Sequence, residues 1–78
     1  MQVTFTRTAM KDLRKVPAKD RQSIIEKLQI YGETGQGDVK KLKGRTEYRL
    51  RHGNWRALFE IEGDVIVVRV AHRSEAYN

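Results

Sequence analysis

An α+β domain is predicted, with an N-terminal strand and a helical hairpin packed on a small antiparallel sheet in the order β-α-α-β-β-β. Three observations lead there. Apolar residues in the N-terminal part recur at helical spacing, those from Tyr48 onward alternate with period two, and the loop-forming stretch TGQGDV, residues 34–39, separates the two regimes. With 78 residues the chain makes one domain, 1–78. A domain this small buries a modest share of its unfolded surface, so only marginal stability is expected.

Residues 2–6 alternate polar and apolar, with Val3 and Phe5 on one side, which reads as a short strand. Thr6 or Thr8 can cap the helix that follows. Within residues 9–16, Met10, Leu13 and Val16 recur every third position and predict a short amphipathic helix. Pro17 stops it and can open a second helix, since proline is tolerated in a first turn. The second stripe is Ile24, Ile25, Leu28 and Tyr31, with Gly32 and Gly35 expected to end the helix. Beyond the loop, Tyr48 and Leu50 alternate with Arg49 and Arg51. Trp55, Ala57, Phe59 and Ile61 alternate with Arg56, Leu58 and Glu60. His52-Gly53-Asn54 and Glu62-Gly63-Asp64 are tight connections. Residues 65–71 form the last strand, apolar enough to suggest that both of its faces are covered.

This alternation makes the sheet two-faced. Tyr48, Leu50, Trp55, Phe59 and Ile61 point toward the helices. Arg49, Arg51 and Arg56 point away. Residues 40–56 hold seven basic side chains (Lys40, Lys41, Lys43, Arg45, Arg49, Arg51 and Arg56) against one acid, Glu47; the other 61 residues hold nine of each sign. A local cationic excess is the footprint of a polyanion partner: nucleic acid, an anionic membrane surface or an acidic protein. A sheet face built only for stability would mix Thr, Glu and Lys in cross-strand pairs, whereas Glu60 is the only acid on that face of the middle strand. Arginine also forks onto phosphate. Phosphate recognition is therefore the favoured reading over a solvated basic face.

The C-terminal AHRSEAY adds titratable groups: His72, Arg73, Glu75 and Tyr77. RNA cleavage needs a base for the 2′-hydroxyl, an acid for the 5′-oxygen and cations for the phosphorane. His, Glu and Tyr can move protons and Arg can stabilise charge. Each has a plainer reading as well: a strand-end histidine, a Glu75–Arg73 pair, an edge tyrosine. Neither cofactor nor metal is expected. His52 and His72 are the only imidazoles, no acid–histidine spacing forms a metal cage, and no glycine-rich phosphate loop precedes a helix. The absence of cysteine excludes disulfides and thiolate–metal sites. MQVTFTRTAM lacks the basic start and apolar run of a secretory leader, and the longest apolar run, residues 65–68, is too short to span a membrane. A cytoplasmic protein with no membrane partner is expected.

The pattern Lys-Leu-Lys-Gly, a gap, Tyr-Arg-Leu-Arg, a short turn, Trp-Arg-Ala-Leu-Phe, a strand and then His-Arg-Ser-Glu-Ala-Tyr resembles the RelE/ParE superfamily of type II toxin–antitoxin toxins, over nearly the whole chain. The resemblance implies the small sheet and helical hairpin derived above. For RelE-like members it implies metal-independent mRNA cleavage in the ribosomal A site, by 2′-hydroxyl attack leaving a 2′,3′-cyclic phosphate. The implied catalytic positions are Arg49 and Arg51, Arg56, a basic residue at His72 or Arg73, and Tyr77. Lys40, Lys41, Lys43 and Arg45 are the expected RNA- and ribosome-binding residues. ParE-like members share the fold but poison DNA gyrase; Tyr77 and the arginine set favour the RelE branch. A non-catalytic nucleic-acid-binding member is the third possibility. The resemblance also implies a cognate antitoxin, with the basic face and residues 65–70 as candidate docking surfaces. Two departures stand out. RelE-type strands often carry Lys where this chain has Arg49 and Arg51, and arginine keeps its proton, so neither serves as a base. The segment after the last strand is also short, so His72 and Arg73 compete for one position.

Overall fold

The computed structural model of the chain describes residues 1–76. Two helices pack on one face of a five-stranded mixed sheet. The elements run β1 (Val3–Phe5), α1 (Arg7–Lys15), α2 (Ala18–Thr34), β2 (Val39–Lys41), β3 (Tyr48–His52), β4 (Trp55–Glu62) and β5 (Asp64–His72). In space the strands lie in the order β1-β5-β4-β3-β2. The meander β3–β4–β5 is antiparallel, as its alternation predicts. Two short edge strands extend it: β1 pairs parallel with β5, and β2 pairs antiparallel with β3. The second of these lies in the stretch that reads as loop and basic run.

Thr6 caps α1, its hydroxyl accepting the Ala9 N–H at 3.2 Å. The buried stripe of α1 differs from the expected one. Met10 is 53% exposed, while Ala9, Leu13 and Val16 are buried. The i, i+4 pair Ala9–Leu13 turns inward, which fits a 3.6-residue turn better than the strict three-residue spacing of Met10, Leu13 and Val16. Pro17 precedes α2, whose Ile24 and Leu28 are buried, with Ile25 and Tyr31 packed at the margin. Gly35 ends α2 in the left-handed conformation, φ 75°. Gly32 does not end it. It lies inside the helix, where a Cβ would stand 2.7 Å from the Met1 carbonyl oxygen. The Met1 ammonium donates to the Gly32 carbonyl at 2.7 Å, so a glycine on α2 lets the chain start pack against it.

The core joins Ile24 and Leu28 to Leu50, Ala57, Phe59, Val65, Val67 and Val70 on the sheet. Tyr48 stacks on Phe59, with ring centroids 5.5 Å apart, and Tyr31 tilts onto the same ring at 5.3 Å. A register shift at Leu58/Phe59 brings Val67 and then Val70 to the helix side. β5 is an interior strand: Val65, Val67 and Val70 are buried under the helices, whereas Ile66 and Val68 are half-buried.

Where β1 ends, α1 protects the exposed rim of β5. One oxygen of Asp12 accepts both the Val70 N–H at 2.9 Å and the Arg69 Nε–H at 2.8 Å. A strand edge without a neighbour is thus closed by a carboxylate, and Arg69 is held at that edge. Among the described residues, no helix is long and apolar enough to cross a membrane.

Candidate nucleic-acid interface

Register decides which side chains share the uncovered face. Lys40 pairs with Arg49, Arg49 with Leu58, and Leu58 with Arg69, which makes one row across the sheet. The next row runs Arg51, Arg56, Ala71. Directly opposed residues on neighbouring strands point the same way, so Lys40, Arg49, Arg51 and Arg56 lie on one face, as the alternation predicts. Leu58 and Ala71 lie among them and are 5% and 7% exposed, outside the helix-facing cluster. Ala76, the last described residue, is also buried outside that cluster. It sits in a turn whose Glu75 and Ala76 N–H groups donate to the His72 carbonyl. The cationic face thus has a small apolar floor.

Arg51 and Arg56 are cross-strand partners, and two like charges so placed repel. The guanidinium groups are held apart. Arg56 turns back onto the β3–β4 hairpin, its Nη1 donating to the carbonyls of Gly53 at 2.8 Å and Trp55 at 2.9 Å. That hairpin turns through Gly53 at φ 55°, with His52 paired to Trp55 across two residues, which suits a type II′ turn. Arg51 leans the other way, to Asp38.

Asp38 is the residue that sequence reasoning missed. It lies just before β2, and its backbone carbonyl accepts the Arg51 N–H at 3.0 Å. Two residues before Lys40 on an extending strand, it faces the cationic side. Its Oδ1 accepts from Arg49 Nη1 at 3.1 Å and its Oδ2 from Arg51 Nε at 2.7 Å. Arg49 Nη1 also reaches the Asp38 carbonyl at 3.2 Å. The hydrogen bond from Arg49, then that from Arg51, holds the Asp38 carboxyl below its ordinary value of 3.8. Reading Asp-Val-Lys-Lys as a strand antiparallel to Tyr-Arg-Leu-Arg would have placed Asp38 opposite Arg51; three residues are too few for alternation to show.

The other basic candidates divide. Lys40 faces out beside Arg49. Lys41 falls on the helix side of the sheet edge, its Nζ 5.9 Å from the Tyr48 ring centroid and 2.8 Å from the Arg45 carbonyl. Lys43 and Arg45 are exposed in the β2–β3 connection. Thr46 ties that connection to β4 by donating to Glu60 at 3.1 Å.

His72 is not beside the arginine face. Its register partner is Trp55, whose ring meets the imidazole edge-on at 5.6 Å, and both belong to the helix side. It lines a groove with Asp12 and Lys15 of α1 and with Glu75. Its Nδ1 accepts the Ser74 N–H at 3.3 Å and lies 3.0 Å from the Ser74 hydroxyl. The Arg73 N–H donates to the Asn54 carbonyl at 2.7 Å, and its side chain is exposed. Tyr77 lies outside the described residues. His52 locks α2 to β3: Lys27 Nζ donates to Nδ1 at 2.8 Å and Nε2–H donates to Asp20 at 3.1 Å. Among the described residues, no group of three His, Cys, Asp or Glu side chains could hold a metal ion.

Such a face can grip a polyanion and stabilise phosphate charge, and its arginines cannot accept a proton. A family model described as the ParE toxin of a type II toxin–antitoxin system, parDE, matches residues 3–77. Toxin RelE3 of Methanocaldococcus jannaschii is 40% identical over 85 residues, covering 100% of this chain and 97% of the relative. A chain of the RelB-RelE antitoxin-toxin complex from Methanococcus jannaschii superimposes with a TM-score of 0.79 at 35% identity, over 95% of this chain and 94% of that one. A chain of the toxin-antitoxin complex RelBE2 from Mycobacterium tuberculosis gives 0.74 at 29% identity, over 92% and 96%.

Proposed function

The chain belongs to the RelE/ParE superfamily and is a RelE-like toxin of a type II toxin–antitoxin system; from this we propose that it is a ribosome-dependent mRNA endoribonuclease that arrests translation in the cytoplasm. The single observation that carries the reading is the cationic face, where Lys40, Arg49, Arg51 and Arg56 surround the floor of Leu58 and Ala71. Charges on strands are held at fixed spacing, which suits a backbone of regularly spaced phosphates.

In the proposed reaction, the ribose 2′-oxygen attacks the adjacent phosphorus while its proton passes to a base. The phosphorus–O5′ bond breaks, and the 5′-oxygen leaves with a proton from an acid. The products are a 2′,3′-cyclic phosphate and a 5′-hydroxyl. Arg56 and Arg51 neutralise the extra charge on the phosphorane, with Arg73 after the last strand as a third cation. Electrostatic stabilisation by these side chains needs no metal. Proton transfer falls to Tyr77, a side chain type able to accept and donate a proton. His72 lies on the helix side beside Trp55 and, with Glu75, lines the groove toward α1; neither takes a step here. Lys40, Lys43, Arg45 and Lys41 hold the toxin against ribosomal RNA, so binding falls steeply with salt. Free RNA is cut slowly, because an open face alone cannot align the 2′-oxygen in line. A cognate antitoxin is the expected partner, since the similar chains were solved in antitoxin-toxin complexes; the cationic face is a candidate surface for it to cover.

Induced expression without antitoxin tests the reading. Incorporation of labelled amino acid should stop within minutes while thymidine incorporation continues. Filamentation with DNA damage and ongoing protein synthesis would instead mark a gyrase poison, and no growth effect a non-catalytic binder.

A further inference from the structure

Asp38 bridges two arginines of the candidate phosphate site through separate oxygens, at 3.1 and 2.7 Å. We propose that Asp38 is a built-in competitor for RNA: its carboxylate holds the anion position between Arg49 and Arg51, and an RNA phosphate must displace it to bind there. The inference rests on the reading of the cationic face as a phosphate site.

Four features support it. Carboxylate and phosphate both offer paired oxygens to guanidinium donors, so whatever Asp38 accepts, a phosphate can accept. The pair is accessible: the side chains of Asp38 and Arg51 are 45% and 53% exposed, while Arg49, at 15%, stays fixed on the sheet. The carboxylate can also be withdrawn. Asp38 is the central residue of a three-residue turn closed by the Val39 N–H on the Gly37 carbonyl at 2.9 Å. That turn follows Gly35-Gln36-Gly37, whose glycines stand at φ 75° and 151°, backbone that other residues rarely adopt. Finally, an exposed ion pair of this kind stabilises a fold only slightly, so Asp38 is dispensable to the sheet.

The consequence is selectivity. With Asp38 in place, two guanidinium charges present as one, and an isolated phosphate gains little by exchanging with the carboxylate. A strand held at several points, as on a large RNA surface, gains the remaining contacts as well. Asp38 thereby suppresses capture by stray RNA and leaves multivalent docking strong.

The test is fluorescence anisotropy of a short 2′-O-methylated oligouridylate, whose blocked nucleophile prevents cleavage. Wild type, Asp38→Asn, Glu62→Gln and the Arg49→Ala/Arg51→Ala pair are compared, with and without Asp38→Asn. Melting curves confirm that each variant is folded. Asp38→Asn should bind about threefold to tenfold more tightly at low salt, with a steeper salt slope. Glu62→Gln, the same charge change at the far hairpin, should gain less than twofold by the same screening argument, about the scale of a remote surface charge. Both arginine removals should erase the Asp38→Asn gain. Three results would overturn the proposal. Equal gains from Asp38→Asn and Glu62→Gln would reduce the effect to net charge. Unchanged or weaker binding by Asp38→Asn, with wild-type binding still dependent on Arg49 and Arg51, would remove the competitor and leave the phosphate site standing. Binding indifferent to Arg49 and Arg51 in every background would remove the site itself.

Discussion

On the helix-facing side of the sheet, Leu50, Ala57, Phe59, Val65, Val67 and Val70 close on Ile24 and Leu28. On the opposite side, Lys40, Arg49, Arg51 and Arg56 stand over Leu58 and Ala71, and the guanidinium groups are parted by Asp38 and by the hairpin carbonyls. The same alternation builds both sides, but different forces position them. Burial fixes the first. Hydrogen bonds to charge fix the second, where several cations are held close at a cost in repulsion that Asp38 offsets. Stability should therefore concentrate on one side of the sheet and chemistry on the other.

The strongest way to break that division is Phe59→Ala. Phe59 is fully buried between Tyr31 and Tyr48. Its truncation should cost about 3–5 kcal/mol, read as a lowered urea midpoint, and leave the chain largely unfolded at growth temperature. Gly32→Ala comes next. The new Cβ would meet the Met1 carbonyl oxygen at 2.7 Å, so the chain start must shift from α2, costing about 1–3 kcal/mol. A variant lacking Met1 should tolerate the alanine far better.

Arg56→Ala sharpens the comparison from the other side. Its bonds are to the exposed Gly53 carbonyl and to the part-buried Trp55 carbonyl at the hairpin end, where water can largely replace it, so unfolding should move by no more than about 0.5 kcal/mol. Cleavage should nonetheless fall by at least about a hundredfold if Arg56 stabilises the phosphorane. The smallest effect is the titration of Asp38. Its carboxyl is held below 3.8 by Arg49 and then Arg51, so the pair contributes above that value and is lost as pH falls through the lower folded value. Carboxyl NMR should give a midpoint under 3.8, and Arg49→Ala should raise it. A midpoint at or above 3.8 in the wild type would mean that the bridge does not persist in solution.

Long periodic segments were legible in the sequence. Ile24, Leu28, Leu50 and Phe59 are core residues whose spacing matches their element, and Pro17 and Gly53 mark real junctions. What escaped was set by partners distant in sequence. Ala9 rather than Met10 turns inward, because packing against the sheet selects the face that Ala9 shares with Leu13. Gly32 reads as a stop, yet serves a contact with Met1, thirty-one residues away. The register shift at Leu58/Phe59 leaves no local mark. At the site, period two placed Arg49, Arg51 and Arg56 on one face, but charge density alone could not show that β2 carries Asp38 between two of them. Nor could it show that His72, so near Arg73 in sequence, faces α1.

Mapping RNA ends on translating ribosomes with purified, antitoxin-free protein tests the central claim most directly, with Arg56→Ala of matched stability alongside. New 3′ ends within the A-site codon, bearing a cyclic phosphate and absent with Arg56→Ala, are the expected result. Intact mRNA with the wild type, or equal cleavage by both proteins, would contradict a catalytic arginine face; in the first case gyrase becomes the target to assay.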